Sequence, residues 1–373
     1  MKTFAKRAVA VLLAVVLSLS LAGCYDENLT WAAKKGDLEL PIGGYIYYLS
    51  VAYNEAASQI DTETQVLKAE LDGKDAETWI RDRAQEYVNR FFWIDDEMER
   101  LGLEMTEDDY TTAQETTTSY WTYFGSSFEN YGVAQTSFDT AYSQYNVKYL
   151  RVFEALYGTG GECEIPEADL LDQYCNNYYN YEYFTVPLST TAEDGTTTEM
   201  TDEEKATLTK RLEKTRDKIL SGETEVTSAA NDYALEIGEE SSYLFGVDSV
   251  EDMESNYLPD EFIEAVTTTE EGDVVVFEAS GYMILLHLIP IEETVEDILG
   301  SEEGRLQLMI ELKLDEYKEY VETTANSVEG IELNDKAIKR YKPSMFTDSS
   351  KNGTSSTASE ETAESSEESS EEE

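Results

Sequence analysis

Histidine occurs once in this chain, cysteine three times, and cations are scarce: 27 Lys and Arg stand against 79 Asp and Glu in 373 residues, a formal net charge of −52. Each shortage closes off a class of chemistry. With His287 as the single histidine, no His–His metal pair or Cys–His zinc site can be built, and Cys163 and Cys175 fit no zinc-ligand spacing. No metal and no cofactor is expected. The lack of a basic footprint excludes nucleic acid as a partner, because a polyanion needs one. No serine lies in the strand–turn–helix setting of a nucleophile elbow. Gly158-Thr159-Gly160-Gly161 lacks the Lys-Ser/Thr of a phosphate loop and reads as a turn. Carboxylates are so abundant that no pair, Asp95 and Asp96 included, singles itself out as a glycosidase dyad. The acidic runs also lack the register of a calcium loop. His287 itself, in Leu-Leu-His-Leu-Ile, reads as a strand residue rather than a catalytic base.

The one strongly apolar run near the start, Ala8 to Leu21, is too short to cross a bilayer comfortably. It follows Lys2, Lys6 and Arg7 and ends in Leu21-Ala22-Gly23-Cys24, the layout of a secretory signal. Leu-Ala-Gly-Cys resembles the lipobox of bacterial lipoproteins, which implies cleavage after residue 23 and lipidation of Cys24. A lipid-anchored protein at the extracytoplasmic face of a cell membrane is expected. At the other end, residues 347–373 hold nine acidic residues and one Lys among Ser, Thr and Ala, a segment with no apolar surface to bury. The acidity would favour basic clients or divalent cations, though a plain solvated surface is the simpler reading. Cys163 and Cys175 are read either as a disulfide or as two small apolar residues.

Between these ends the chain changes character once. Residues 25–40 read as a polar spacer, and 41–178 as helical, with no strand. Ile80, Ala84, Tyr87, Val88, Phe91, Ile94, Met98 and Leu101 recur at three- and four-residue steps between an N-cap at Asp75 and a stop at Gly102. Thr106 and Asp109 form a variant capping box, and Phe138 to Leu156 marks a further helix. Pro166 opens another through Leu170, Leu171 and Tyr174. From Tyr181 to Leu188 the composition is that of a strand. A polar loop and two helices follow: Thr201 to Leu220, and about Glu225 to Leu235. Next come a strand at Tyr243–Val247, a short helix at Asp260–Val266 and a hairpin around Ala279-Ser280-Gly281. Past Pro290, Leu306, Ile310, Leu314, Tyr317 and Val321 return to a helical spacing.

That order resembles the extracytoplasmic foldases of Gram-positive bacteria, lipoproteins with a parvulin-type peptidyl-prolyl isomerase domain related to the periplasmic chaperone survival factor A. The residues carrying the resemblance are Glu164 to Tyr174, Leu258-Pro259-Asp260-Glu261-Phe262 with Glu271-Gly272-Asp273-Val274, and Gly281-Tyr282. It implies an α+β fold: a helical chaperone lobe like that of survival factor A, interrupted by a parvulin-like domain of small antiparallel sheet flanked by helices. The implied division is signal peptide 1–23, spacer 24–40, lobe 41–178, parvulin-like domain 179–291, returning lobe 292–346 and acidic tail 347–373. The family's two pocket histidines fall at Tyr183 and Met283, and its Gly-Gly-Asp-Leu-Gly signature is missing near 240–248. Leu258 and Phe262 fall at apolar pocket positions, and Glu236 roughly where the family has an acid or thiol. A prolyl pocket of Tyr183, Glu236, Leu258, Phe262 and Met283, degenerate and of weak or no isomerase activity, is therefore expected.

Tyrosine occurs 26 times, clustered at 45–48, 120–124 and 178–181. A large apolar face with a polar tip suits surfaces that grip many unfolded segments, although any single tyrosine is more readily a core residue. The expected partners are unfolded or nascent secreted polypeptides, with the membrane reached through Cys24. A solute-binding or structural envelope lipoprotein is the alternative. A solute-binding protein needs repeated strand–helix alternation, which 41–178 does not supply.

Overall fold

The protein is described by a computed structural model over residues 30–347, apart from 62, 192, 193 and 239. The signal segment, Cys24 and the acidic tail lie outside the described residues. The chain divides into two compact units: one runs to Leu156 and resumes at Glu316, and the other is Tyr157–Asp315.

The first unit begins with a hairpin. Trp31–Lys35 (β1) and Leu38–Pro41 (β2) pair antiparallel around Gly36, whose φ of +58° is left-handed and suits glycine. The spacer reading of 24–40 is thus corrected over 31–40. Two alanines beside two lysines carry little β signal, but Ala32, Ala33 and Leu40 are fully buried, so tertiary packing makes the strands. Ile42–Ser58 (α1) then buries Ile42, Tyr45, Ile46, Leu49, Ala52 and Ala56 along one stripe. Between α1 and the next helix, Glu70–Leu71 (β3) and Lys74–Asp75 (β4) form a two-residue ladder, contrary to the expectation of no strand before 178. The ladder is too short to leave an alternating pattern.

Ala76–Leu101 (α2) starts where the Asp75 carboxylate accepts from the Thr78 amide at 3.0 Å and ends at Gly102 in the left-handed region. Glu107–Asn130 (α3) has a full capping box. The Thr106 hydroxyl accepts from the Asp109 amide, and the Asp109 carboxylate accepts from the Thr106 amide at 2.9 Å. Gln135–Phe138 (α4) continues through a π-helical turn at Asp139–Ser143 into Gln144–Tyr157 (α5). Phe138 is the aromatic hub of this unit, with ring centroids 5.1 Å from Tyr47, 5.1 Å from Phe128 and 4.9 Å from Tyr142.

In the second unit, Glu167–Asn177 (α6) follows Pro166 and runs into Tyr178–Pro187 (β5). The polar loop after it holds a small ladder, Ser189–Thr191 (β6) with Thr197–Glu199 (β7). Asp202–Leu220 (α7) is capped reciprocally by Thr201 and Glu204, and Val226–Ile237 (α8) ends at Gly238. Leu244–Ser249 (β8), Val250–Ser255 (α9), Asp260–Thr268 (α10), Val274–Ala279 (β9) and Tyr282–Ile289 (β10) follow. Ser280 and Gly281 both have positive φ, as a two-residue hairpin turn between right-twisted strands requires. The sheet is antiparallel throughout, in the order β8-β5-β10-β9. This unit is wider than 179–291. The Tyr174 hydroxyl meets the Thr294 hydroxyl at 2.7 Å, and Gln173 donates to Glu311 at 3.0 Å, tying both flanking segments to it.

Glu302–Ala325 (α11) contains the boundary at Asp315/Glu316. Beyond it, Tyr317 packs on Tyr149 and Phe153 at 4.5 and 5.3 Å. Glu332–Leu333 (β11) then adds to β1, giving a sheet ordered β11-β1-β2. The architecture is α+β, a mainly helical unit and a unit of small antiparallel sheet flanked by helices. No helix among the described residues is long and apolar enough to cross a membrane.

Candidate functional site

The four-stranded sheet has two buried faces, and strand alternation decides which side chain belongs to which. One face carries Phe184, Val186, Met283 and Leu285 under Leu208 and Leu212 of α7 and Val226 and Ala230 of α8. The other carries Tyr181, Ile284, Leu286 and Leu288 under Met253 of α9 and Phe262 and Val266 of α10. Tyr183, Leu258 and Phe277 pack against this second group.

Of the five pocket residues expected from sequence, three come together. The Tyr183 ring stands edge-on to Phe262 at 4.9 Å, Tyr181 does the same at 5.5 Å, and Leu258 precedes Pro259 at the start of α10. The other two do not. Met283 pairs in register with Val186, whereas Tyr183 pairs with Leu286, so Met283 projects to the opposite face and is buried there. Glu236 is on the outer side of α8 and is held by Arg211 of α7 through two hydrogen bonds, at 3.0 and 2.5 Å. Neither can meet Phe262. Phe262 is itself only 2% exposed, so it fills the core rather than lining an open pocket. Burial pushes the Tyr183 phenol above its usual pKa.

Two polar groups at the sheet were missed by reading the sequence. On the Phe262 face, the Tyr181 hydroxyl donates to Asp248 at 2.6 Å, and its ring lies over Gly246 of β8, its register partner. A Cβ on Gly246 would come within 2.7 Å of the Tyr181 hydroxyl oxygen and 2.5 Å of Asp248, so this close approach requires glycine. Burial first, and then the hydrogen bond to Asp248, raise the Tyr181 pKa far above normal. On the opposite face, Glu182 accepts from the Tyr243 hydroxyl at 2.9 Å and pairs with His287 Nδ1 at 2.9 Å. Burial opposes ionisation of Glu182, but the hydrogen bonds from His287 and Tyr243 prevail and hold it below the ordinary glutamate value. Burial and then the Glu182 hydrogen bond push Tyr243 up to about 12. The signal that finds both groups is strand register. Once β10 is paired with β5, His287 falls opposite Glu182; once β8 is paired with β5, Tyr181 falls opposite Gly246.

Chemically, the Phe262 face offers aromatic surface and one tyrosine hydroxyl already committed to a carboxylate. The single imidazole is on the other face and engaged by Glu182. Cys163 and Cys175 are free thiols, and burial raises the Cys175 pKa.

No protein-family model and no curated protein matches the chain. Among solved structures it is similar to the foldase protein PrsA from Lactococcus lactis, at 12% identity and a TM-score of 0.35, covering 85% of this chain and 98% of that one. It is likewise similar to the foldase protein PrsA from Streptococcus pneumoniae, at 12% identity and a TM-score of 0.36, covering 81% and 93%. PrsA from Bacillus subtilis is matched at 11% identity and a TM-score of 0.31, covering 74% of this chain and 97% of that one.

Proposed function

We propose that this protein is a membrane-anchored extracytoplasmic foldase that works as a holding chaperone for unfolded secreted polypeptides, tethered through lipidated Cys24. The observation that carries this reading is α3. Its 24 residues bury only Asp109, Ala113, Thr117 and Gly125, while Tyr110, Tyr120, Tyr123 and Phe124 are 51, 39, 78 and 51% exposed. Large aromatics gathered on one solvent-facing helix are costly to leave in water, and mark a surface that other chains cover. Tyrosine and phenylalanine grip apolar segments without demanding a particular sequence. The parvulin-like sheet unit contributes little catalysis in this reading. Lowering the barrier of about 20 kcal/mol to proline isomerisation needs an open pocket that desolvates and twists the imide, and Phe262 fills that place.

The test is aggregation of a chemically unfolded client followed by light scattering. The protein should slow aggregation at near-stoichiometric ratios, and Tyr123→Ser with Phe124→Ser should weaken that effect severalfold while the fold survives. In a proline-limited refolding assay the same preparation should give little acceleration. No effect on aggregation at large excess would defeat the proposal.

A further inference from the structure

Beside the β1–β2 turn of the first unit lies an open cleft of about 1010 Å³, walled by that turn, the last turns of α2, the connection 102–105, and Tyr110 and Lys148. Five apolar residues line it, of which Leu38, Leu103 and Met105 are partly exposed, while Phe92 and Met98 are buried behind them. Its two cations are already neutralised. Lys148 is clamped on Asp95 at 2.7 and 2.8 Å, and Lys35 pairs with Asp96. Three further carboxylates, Asp37, Glu99 and Glu104, stand exposed on the rim, with no ion pair among the described residues. They come from two stretches of chain, the β1–β2 turn and the end of α2 with its connection, so the cleft sets negative charge beside its partly exposed apolar side chains.

We infer that this cleft binds an extended segment of unfolded polypeptide that mixes Lys or Arg with aliphatic side chains. The aliphatic groups rest on Leu38, Leu103 and Met105, and the cations meet Asp37, Glu99 and Glu104. The inference rests on the chaperone reading and names the class of client. Charge complementarity selects this occupant. A second copy of the chain, at net −52, would be repelled from a negative rim. A divalent ion is not favoured, because no group of acidic, His or Cys side chains among the described residues is placed to hold one. The volume suits a stretch of several residues better than a single side chain.

Binding of a short fluorescein-labelled peptide alternating Lys and Leu with Gly and Ser, followed by fluorescence anisotropy on the full chain, tests this. The wild type should bind it about tenfold more tightly than the same peptide with Glu for Lys. Asp37→Asn with Glu99→Gln and Glu104→Gln should weaken binding about tenfold. A control with the same charge change at exposed positions off the cleft, Glu129→Gln, Glu319→Gln and Glu329→Gln, should change it less than about twofold. Met105→Lys, which places a cation in the cleft wall, is the second variant and should weaken binding as the triple does. Thermal unfolding confirms that each variant is folded. If the cleft variants bind as the wild type does, or the control weakens binding equally, the cleft assignment is overturned. Light scattering with an acidic client reads the chaperone function separately. Retained suppression beside unchanged peptide binding defeats only the cleft, whereas a wild type that suppresses no aggregation defeats the functional reading beneath it.

Discussion

Glu182 shows how much one half-buried carboxylate can organise. It joins β5 to β10 through His287 and to the segment entering β8 through Tyr243. Its folded-state pKa is depressed, so it contributes stability that is present above the ordinary glutamate range and lost as pH falls through the lowered folded value. We expect Glu182→Gln to cost about 1–2 kcal/mol near pH 7, and that cost to shrink as pH falls through the lowered folded value. Urea unfolding at about pH 7 and through the acid range measures it. A cost that stays constant with pH would mean that the charge, as opposed to the shape, contributes nothing. The same scale explains the misplaced pocket residues. Tyr183 and Phe262 are brought together because Tyr183 projects to the sheet face that α10 covers, while Met283 is one strand position out of phase.

Among the elements, α3 is weakly held for its length. Its buried stripe is narrow, and much of its definition comes from the N-terminal box, where Asp109 also accepts from Arg151 at 2.9 and 3.0 Å. Burial would raise the Asp109 pKa, but the Thr106 amide, Arg151 and the Thr106 hydroxyl together hold it below the usual carboxylate value. Thr106→Ala should therefore cost about 1–2 kcal/mol, at the upper end for a lost cap, and lower the urea midpoint accordingly. A change within about 0.5 kcal/mol would show that the apolar stripe alone defines the helix start. The box was readable from Thr106 and Asp109 at a spacing of three. The hairpin at 31–41 was not, because its strands are short, charged and made by burial against α1.

Across the whole molecule, long-range electrostatics act mainly as self-repulsion. Lys and Arg are outnumbered nearly threefold by Asp and Glu, and many of the ion pairs present are at exposed positions, where each contributes about 0–1 kcal/mol. Salt should then stabilise the fold. Raising ionic strength from about 0.01 to about 0.1 M shortens the screening length from about 30 to about 10 Å, and the thermal midpoint should rise by several degrees. Differential scanning calorimetry across a salt series checks this, and a falling midpoint would mean that attractive pairs outweigh repulsion. The same excess of negative charge underlies the preference for cationic clients argued for the cleft.

The sequence by itself determined what depends on neighbours along the chain. Helix starts at Asp75, Thr106 and Thr201 follow from side chains reaching their own amides three residues on. The Ser280-Gly281 turn follows from the positive φ it demands, and the order of the long helices and of the four strands of the larger sheet follows from composition and apolar spacing. Tertiary structure alone decided what depends on pairing across the chain: that Met283 and Tyr183 face opposite ways, that Glu236 is spent on Arg211, and that Phe262 is core. The same holds for the meeting of Glu182 with His287, 105 positions apart. A shift of one residue in strand register turns every side chain to the other face, and no local pattern records that choice.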